Sequence, residues 1–148
     1  MKTKKAGISM VTLGVGDVSA ATRFYEAMGW RKAPQSQEEV SFMQGHNIVL
    51  GLFGRHNLAE DAELADTPTG FAAVSLAFNL PSPEDVDAYF ELALENGATA
   101  TKRPQKVFWG GYSGYFRDPD GHLWEIAHNP FFSMDEGGLL QLLAEKPK

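Results

Sequence analysis

Gly114-Tyr115-Phe116-Arg117-Asp118-Pro119-Asp120-Gly121-His122-Leu123-Trp124-Glu125-Ile126 is the stretch whose reading decides the fold. Its centre, Asp118-Pro119-Asp120-Gly121, has the proline and glycine chemistry of a tight turn. Aromatic and aliphatic residues flank it on both sides. Val107 to Arg117 and His122 to His128 are therefore expected as the two strands of a hairpin, the first containing a flexible Gly110-Gly111 stretch. Pairing across Asp118–Gly121 sets Glu125 near Gly114, with Tyr112 and Phe116 on the same face. Trp124, Ile126 and Tyr115 then share the other, helix-facing side, where an aromatic stripe usually becomes core.

Upstream of this hairpin, Phe71 to Leu80 reads as a strand. Ser82-Pro83-Glu84-Asp85 opens a helix with a serine cap, a proline in the first turn and acids at the positive dipole end. Val86, Phe90, Ala93 and Leu94 fall on one face of it, Gly97 ends it, and Ala98 to Lys102 is a short strand before Pro104. The first half of the chain runs in the same order. Ile8 to Val15 is a strand, and Asp17 caps a helix from Val18 to Met28 with an inner stripe of Val18, Ala21, Tyr25 and Met28, Phe24 beside it. Gly29 suits the left-handed position after that helix. Trp30 to Ala33, Val40 to Met43 and Ile48 to Phe53 follow as strands, the last two joined around Gly45-His46-Asn47. Gly54 to Gly70 connects the halves, with a short surface helix expected over Asn57 to Ala65. Val11-Thr12-Leu13 matches Val74-Ser75-Leu76, and Phe24-Tyr25-Glu26 matches Tyr89-Phe90-Glu91. Order and motif together indicate an internal repeat of a βαβββ unit.

Asp17, Phe24-Tyr25 and Gly29-Trp30, with the ending Gly114 to Ile126, resemble the two modules of the vicinal oxygen chelate superfamily, which holds glyoxalase I, extradiol dioxygenases, and fosfomycin- and bleomycin-resistance proteins. The resemblance spans roughly Ile8 to Pro130. It implies an α+β fold: two βαβββ modules forming a curled mixed sheet with helices outside and a concave cleft. The whole chain, 1–148, reads as one such domain. Module one is about 8–56, the linker 57–70, module two about 71–130 and the C-terminal tail 131–148. Strand alternation agrees: Val11, Leu13 and Val15 oppose Met10, Thr12 and Gly14, and Val74, Leu76 and Phe78 oppose Ala73, Ser75, Ala77 and Asn79. In each strand one face is large and apolar and the other small or polar.

Enzymes of that superfamily hold a divalent metal with four strand residues, usually His or Glu. Carried onto this chain, the positions fall on Met10, on Val49 or Leu50, on Ser75 (or Ala73), and on Glu125. Only Glu125 is a donor of the usual kind. No metal and no other cofactor is therefore expected, a divalent metal being the minority alternative. His46 falls in a hairpin turn, His56 in the linker and His122 after a turn. His128 ends the last strand on the face opposite Glu125.

Composition bounds the rest. With 148 residues, no cysteine and a net charge of −6, the chain is neither a disulfide scaffold nor a thiolate metal site, and it lacks the basic face a duplex-DNA binder needs. No apolar run is long enough to span a membrane. The start, Met1 to Lys5 followed by Ala6 to Gly16, imitates a secretory leader, but it alternates and reads as a first strand after a basic tail, so the cytoplasm is the expected compartment. The expected ligand is a small organic molecule, planar or cationic, in a cleft lined by Trp109, Tyr112, Phe116, Glu125, His128, Met10 and Ser75. Enclosure there would raise the Glu125 pKa and suit it to acid/base work, which makes it the candidate catalytic residue of a lyase, isomerase or dioxygenase-like alternative. A structural or regulatory module with a closed cleft is the other alternative. Apolar residues after Pro130 point to a homodimer.

Overall fold

The computed structural model describes residues 6–67 and 70–143. The basic tail Met1 to Lys5, linker residues Pro68 and Thr69, and the last five residues lie outside the described residues. The chain divides between Gly70 and Phe71 into two compact units. The linker helix thus belongs to the first, where the Arg55 guanidinium pairs with Asp66 at 2.6 Å.

The first unit comprises β1 (Met10–Val15), α1 (Val18–Ala27), β2 (Arg31–Lys32), β3 (Val40–Gln44), β4 (Val49–Gly54) and α2 (Arg55–Asp61). Its sheet has the order β1-β4-β3-β2, with β1 parallel to β4 and the other pairs antiparallel. The Asp17 carboxylate accepts the Ala20 N–H at 3.0 Å, which satisfies one of the orphan donors of α1. Gly29, at φ 102°, leaves the helix in the left-handed region. Ala21, Phe24, Tyr25 and Met28 are buried over Leu13, Val15, Met43, Leu50 and Leu52. One polar contact joins these layers: the Thr22 and Ser41 hydroxyls hydrogen-bond at 2.7 Å.

The second unit repeats the plan with β5 (Leu76–Asn79), α3 (Pro83–Glu95), β6 (Thr99–Lys106), β7 (Tyr112–Arg117) and β8 (Leu123–His128), in the order β5-β8-β7-β6. Both units are four-stranded mixed sheets, and the fold is α+β, as the repeat requires. The Ser82 hydroxyl accepts from the Asp85 N–H at 3.1 Å, Pro83 opens the helix, and Gly97 closes it at φ 104°.

Three strand limits differ most from the sequence expectation. β5 begins at Leu76, not Phe71: its ladder with β8 opens at Leu76↔Trp124, and β8 extends only one residue further back, to Leu123. Ala73 sits at φ 59°, and Phe71 and Val74 are exposed. β6 runs on through Pro104, which an edge strand tolerates at a bulge. The register shifts there, between Lys102 and Gln105. Gly114 permits this close approach, since a Cβ on it would stand 2.7 Å from the Lys102 carbonyl oxygen and the Pro104 nitrogen. Val107 to Gly111 is a loop, closed by Val107 N–H to the Gly111 carbonyl at 3.0 Å.

The largest correction concerns the hairpin. Its loop holds His122 as well as Asp118–Gly121, because the Asp118 N–H bonds the His122 carbonyl and the Asp118 carboxylate accepts the Asp120 and His122 N–H groups at 2.9 Å each. Asp118 is accordingly buried. The pairs are Arg117↔Leu123, Phe116↔Trp124, Tyr115↔Glu125, Gly114↔Ile126 and Tyr112↔His128. One extra loop residue turns every side chain of β7 to the other face relative to β8. Phe116 is therefore core, 2% exposed, with its ring edge-on to Phe90 of α3 at 5.7 Å. Tyr112 is on the same side, its hydroxyl donating to Asp87 of α3 at 2.6 Å. Tyr115 takes the place expected of them, beside Glu125.

Candidate functional site

Each sheet has one face covered by its long helix and one face turned away from it. In the second unit the turned-away face carries one cross-strand row: Lys102 on β6, Tyr115 on β7, Glu125 on β8 and Ala77 on β5. Directly opposed residues in a ladder share a face, so the four side chains stand side by side. Tyr115 and Glu125 are direct cross-strand partners. Burial, then the charge of Glu125 and the polar interaction with its carboxylate, hold the Tyr115 phenol above its ordinary pKa. Glu125 is half-buried, less enclosed than the sequence expectation required. Ala77 leaves a gap at the end of the row.

Charge on this face is mixed. Lys102 sits two strands from Glu125, a separation of about 9–10 Å at the usual strand spacing, and Arg117 follows Tyr115 on the same side of β7. Both cations are exposed. They add positive charge to a face on which Glu125 was the one charged residue expected.

The remaining candidates are distributed elsewhere. Trp109 lies in the β6–β7 loop with its ring folded onto Gly111, so close that a Cβ there would collide with it. His128 is on the helix side, as alternation required, and its Nδ1 is 3.0 Å from the Leu80 carbonyl. Ser75 precedes β5 and is exposed. Ala77, not Ser75, is the ladder partner of Glu125. Tyr112 and Phe116 are on the α3 side. The Tyr112 hydroxyl is pushed up to about 12, chiefly by its hydrogen bond to Asp87 and then by burial.

In the first unit the turned-away face carries Met10, Thr12 and Gly14 of β1 against Val49, Gly51 and Phe53 of β4. Met10 pairs with Val49, while Leu50 is buried beneath α1, which decides between the two alternatives on that strand. Met10 Sδ and Thr12 Oγ1 lie 3.3 and 3.0 Å from where a Cβ on Gly51 would stand. A thioether and a neutral hydroxyl thus fold over the glycine. Among the described residues no group of three or more His, Asp or Glu side chains is arranged to hold a metal ion. His46 is exposed in its turn, and His56 is exposed on α2, 3.9 Å from Glu60.

Tyr115 and Lys102 are the residues that sequence reasoning missed. The available signal was chemical: of the adjacent pair Tyr115-Phe116, the ring without a hydroxyl is the better core residue.

The Glyoxalase/Bleomycin resistance protein/Dioxygenase superfamily matches this sequence over residues 7–126. A metallothiol transferase, FosB, from Shouchella clausii is 29% identical over 121 residues, covering 81% of this chain and 78% of that protein. The crystal structure of a glyoxalase-related enzyme from Fulvimarina pelagi superposes with a TM-score of 0.82 at 32% identity, covering 91% of this chain and 96% of that one. The fosfomycin resistance protein FosX from Mesorhizobium loti shares the fold, with a TM-score of 0.64 at 21% identity over 85% of this chain and 94% of that one. With a matched span that takes in both βαβββ units, this chain belongs to the glyoxalase/bleomycin resistance protein/dioxygenase superfamily.

Proposed function

We propose that this superfamily member binds a small planar organic molecule on the face of the second sheet that carries Lys102, Tyr115, Glu125 and Ala77, and that it does so without a family-type metal. The observation that carries this reading is the cross-strand pairing of Tyr115 with Glu125. It sets a phenol beside the carboxylate, and the ladder partner on the other side is Ala77, which has no donor atom. Met10, Val49 and Ser75 or Ala73 at the remaining family positions do not fit a hard or borderline divalent ion. A ligand with a hydrogen-bond donor for Glu125 and an anionic group for Lys102 suits the row, and Ala77 leaves room for a ring edge.

A second reading is favoured by the similarity to a metallothiol transferase. In that case Glu125 would be a metal ligand, and the chain would be an enzyme. Isothermal titration calorimetry with Zn²⁺, Ni²⁺, Mn²⁺ and Fe²⁺ separates the two. The metal-free reading expects no stoichiometric binding that depends on Glu125. Tight one-to-one binding abolished by Glu125→Ala would establish the second.

Two further properties belong to the same proposal. Phe108 and Phe131 are exposed, and Phe131 contacts Gly110 in the loop that carries Phe108, so they form one apolar patch suited to self-association as a homodimer. Met10–Val15 is a ladder strand against β4, and the cytoplasm is the compartment we propose. No helix among the described residues is long and apolar enough to cross a membrane.

A further inference from the structure

The described part of the C-terminal tail, residues 131–143, is folded. Beyond β8 the Asn129 side chain accepts the Phe131 N–H at 2.9 Å, and Asn129 carbonyl accepts from Phe132. Met134 bridges to Leu140, and the Asp135 carboxylate accepts the Leu139 N–H at 2.9 Å. Gly138 turns the chain back at φ 86°, and Gln141 N–H returns to the Ser133 carbonyl at 2.8 Å. This hairpin lies over the carboxyl ends of β5 and β8 and leaves between them a cavity of about 160 Å³. Its walls are largely apolar: Leu80 and Pro81 from the β5–α3 connection, and Phe132, Met134 and Leu140 from the tail.

His128 is the polar group in that wall best placed to choose a ligand. Its Nδ1 is 3.0 Å from the Leu80 carbonyl, and a carbonyl can only accept. Nδ1 therefore carries the proton. In the neutral ring Nε2 is then a bare acceptor, and it makes no hydrogen bond among the described residues. The backbone contact thus sets the tautomer of a histidine that lines the cavity, with Nε2 left as its acceptor.

We propose that this cavity is a binding site for a phenol-sized aromatic alcohol, whose hydroxyl donates to His128 Nε2 while its ring lies against Phe132, Met134 and Leu140. Volume and chemistry both support that class. An apolar cavity of about 150 Å³ accommodates a benzene ring, and a hydroxyl is the smallest addition that satisfies an acceptor. The site is separate from the Glu125 row, because His128 points to the helix side of β8 and Glu125 to the other. It does not depend on the function proposed for that row.

The test is a titration of the full chain with phenol, followed by ¹H–¹⁵N correlation spectra. The expected result is saturable shifts at Leu80, His128, Phe132, Met134 and Leu140, with Glu125 and Tyr115 unmoved. His128→Phe keeps the ring and removes the acceptor, and it should weaken phenol about fivefold, the worth of one neutral hydrogen bond. Leu140→Trp lies on the exposed tail, where it does not endanger the fold, and it should fill the cavity and abolish the shifts. The dispersion of each spectrum reports folding independently. No saturable shift in the wild-type protein would overturn the proposal. So would shifts confined to the Tyr115–Glu125 row, or phenol affinity unchanged in a folded His128→Phe and in Leu140→Trp.

Discussion

Truncating Phe116 to alanine tests the register on which the site assignment rests. The ring is 2% exposed and meets Phe90, itself 0% exposed, edge to face at 5.7 Å. Removing a buried phenylalanine costs about 3–5 kcal/mol, from lost transfer and the cavity left behind. Of this, about 0.5–1.5 kcal/mol reflects the specific ring pair. A domain of this kind has about 5–15 kcal/mol in total, so Phe116→Ala should remain folded but be visibly weakened. The assay is urea unfolding followed by tryptophan fluorescence, with buried Trp124 directly opposite Phe116 as the reporter. With a urea slope of about 2 kcal/mol per molar, the midpoint should fall by about 2 M. Tyr115→Phe, which deletes only a half-buried hydroxyl on the other face, should stay within about 1 kcal/mol of the parent. A Phe116→Ala loss below about 1 kcal/mol would refute the reasoning, because it would put Phe116 on the side of Glu125.

Two other outcomes follow from the same side of the sheet. The Tyr112 phenol titrates near 12 in the folded protein, against about 10 when unfolded, so the Asp87 contact stabilises fully below pH 10 and fades as pH rises toward 12. Two pKa units set a ceiling of about 2.7 kcal/mol, and the solvent exposure of Asp87 reduces it to about 1 kcal/mol. Tyr112→Phe should therefore lose about that much in urea at pH 7, and the gap should narrow above pH 10; a gap that widens with pH would contradict the contact. Gly114→Ala should cost about 1–3 kcal/mol in the same assay, because its Cβ meets backbone atoms of β6 that cannot rotate away.

Local chemistry made much of the fold legible. Asp17 and Ser82 cap their helices as their side chains dictate, and Gly29 and Gly97 end them at positive φ. The repeat placed eight strands in order because each βαβββ unit carries its own turn residues. The site was less legible, for one physical reason. Alternation tells which residues of a strand share a face, but pairing between strands depends on loop length. Here the loop length depends on whether Asp118 caps two N–H groups or one. Asp118 reaches the His122 N–H, the loop gains a residue, and Tyr115 exchanges places with Tyr112 and Phe116. The start of β5 was hidden for a related reason: Phe71 to Val74 has strand-like composition but lies beyond the reach of β8. Lys102 was read as a strand residue, but its pairing with Tyr115 was hidden because it depends on the register shifts on either side of it.

The claim that matters most is that ligand recognition centres on the Tyr115–Glu125 pair, between Lys102 and Ala77. A ¹H–¹⁵N titration with 4-aminobenzoate, whose amine can donate to Glu125 while its carboxylate faces Lys102, tests it directly. The account predicts saturable shifts along Lys102, Tyr115, Glu125 and Ala77. It also predicts an affinity loss in Glu125→Gln of roughly tenfold or more, the worth of a hydrogen bond to a charged group. Shifts that avoid this row, or an affinity unchanged in a folded Glu125→Gln, would contradict it.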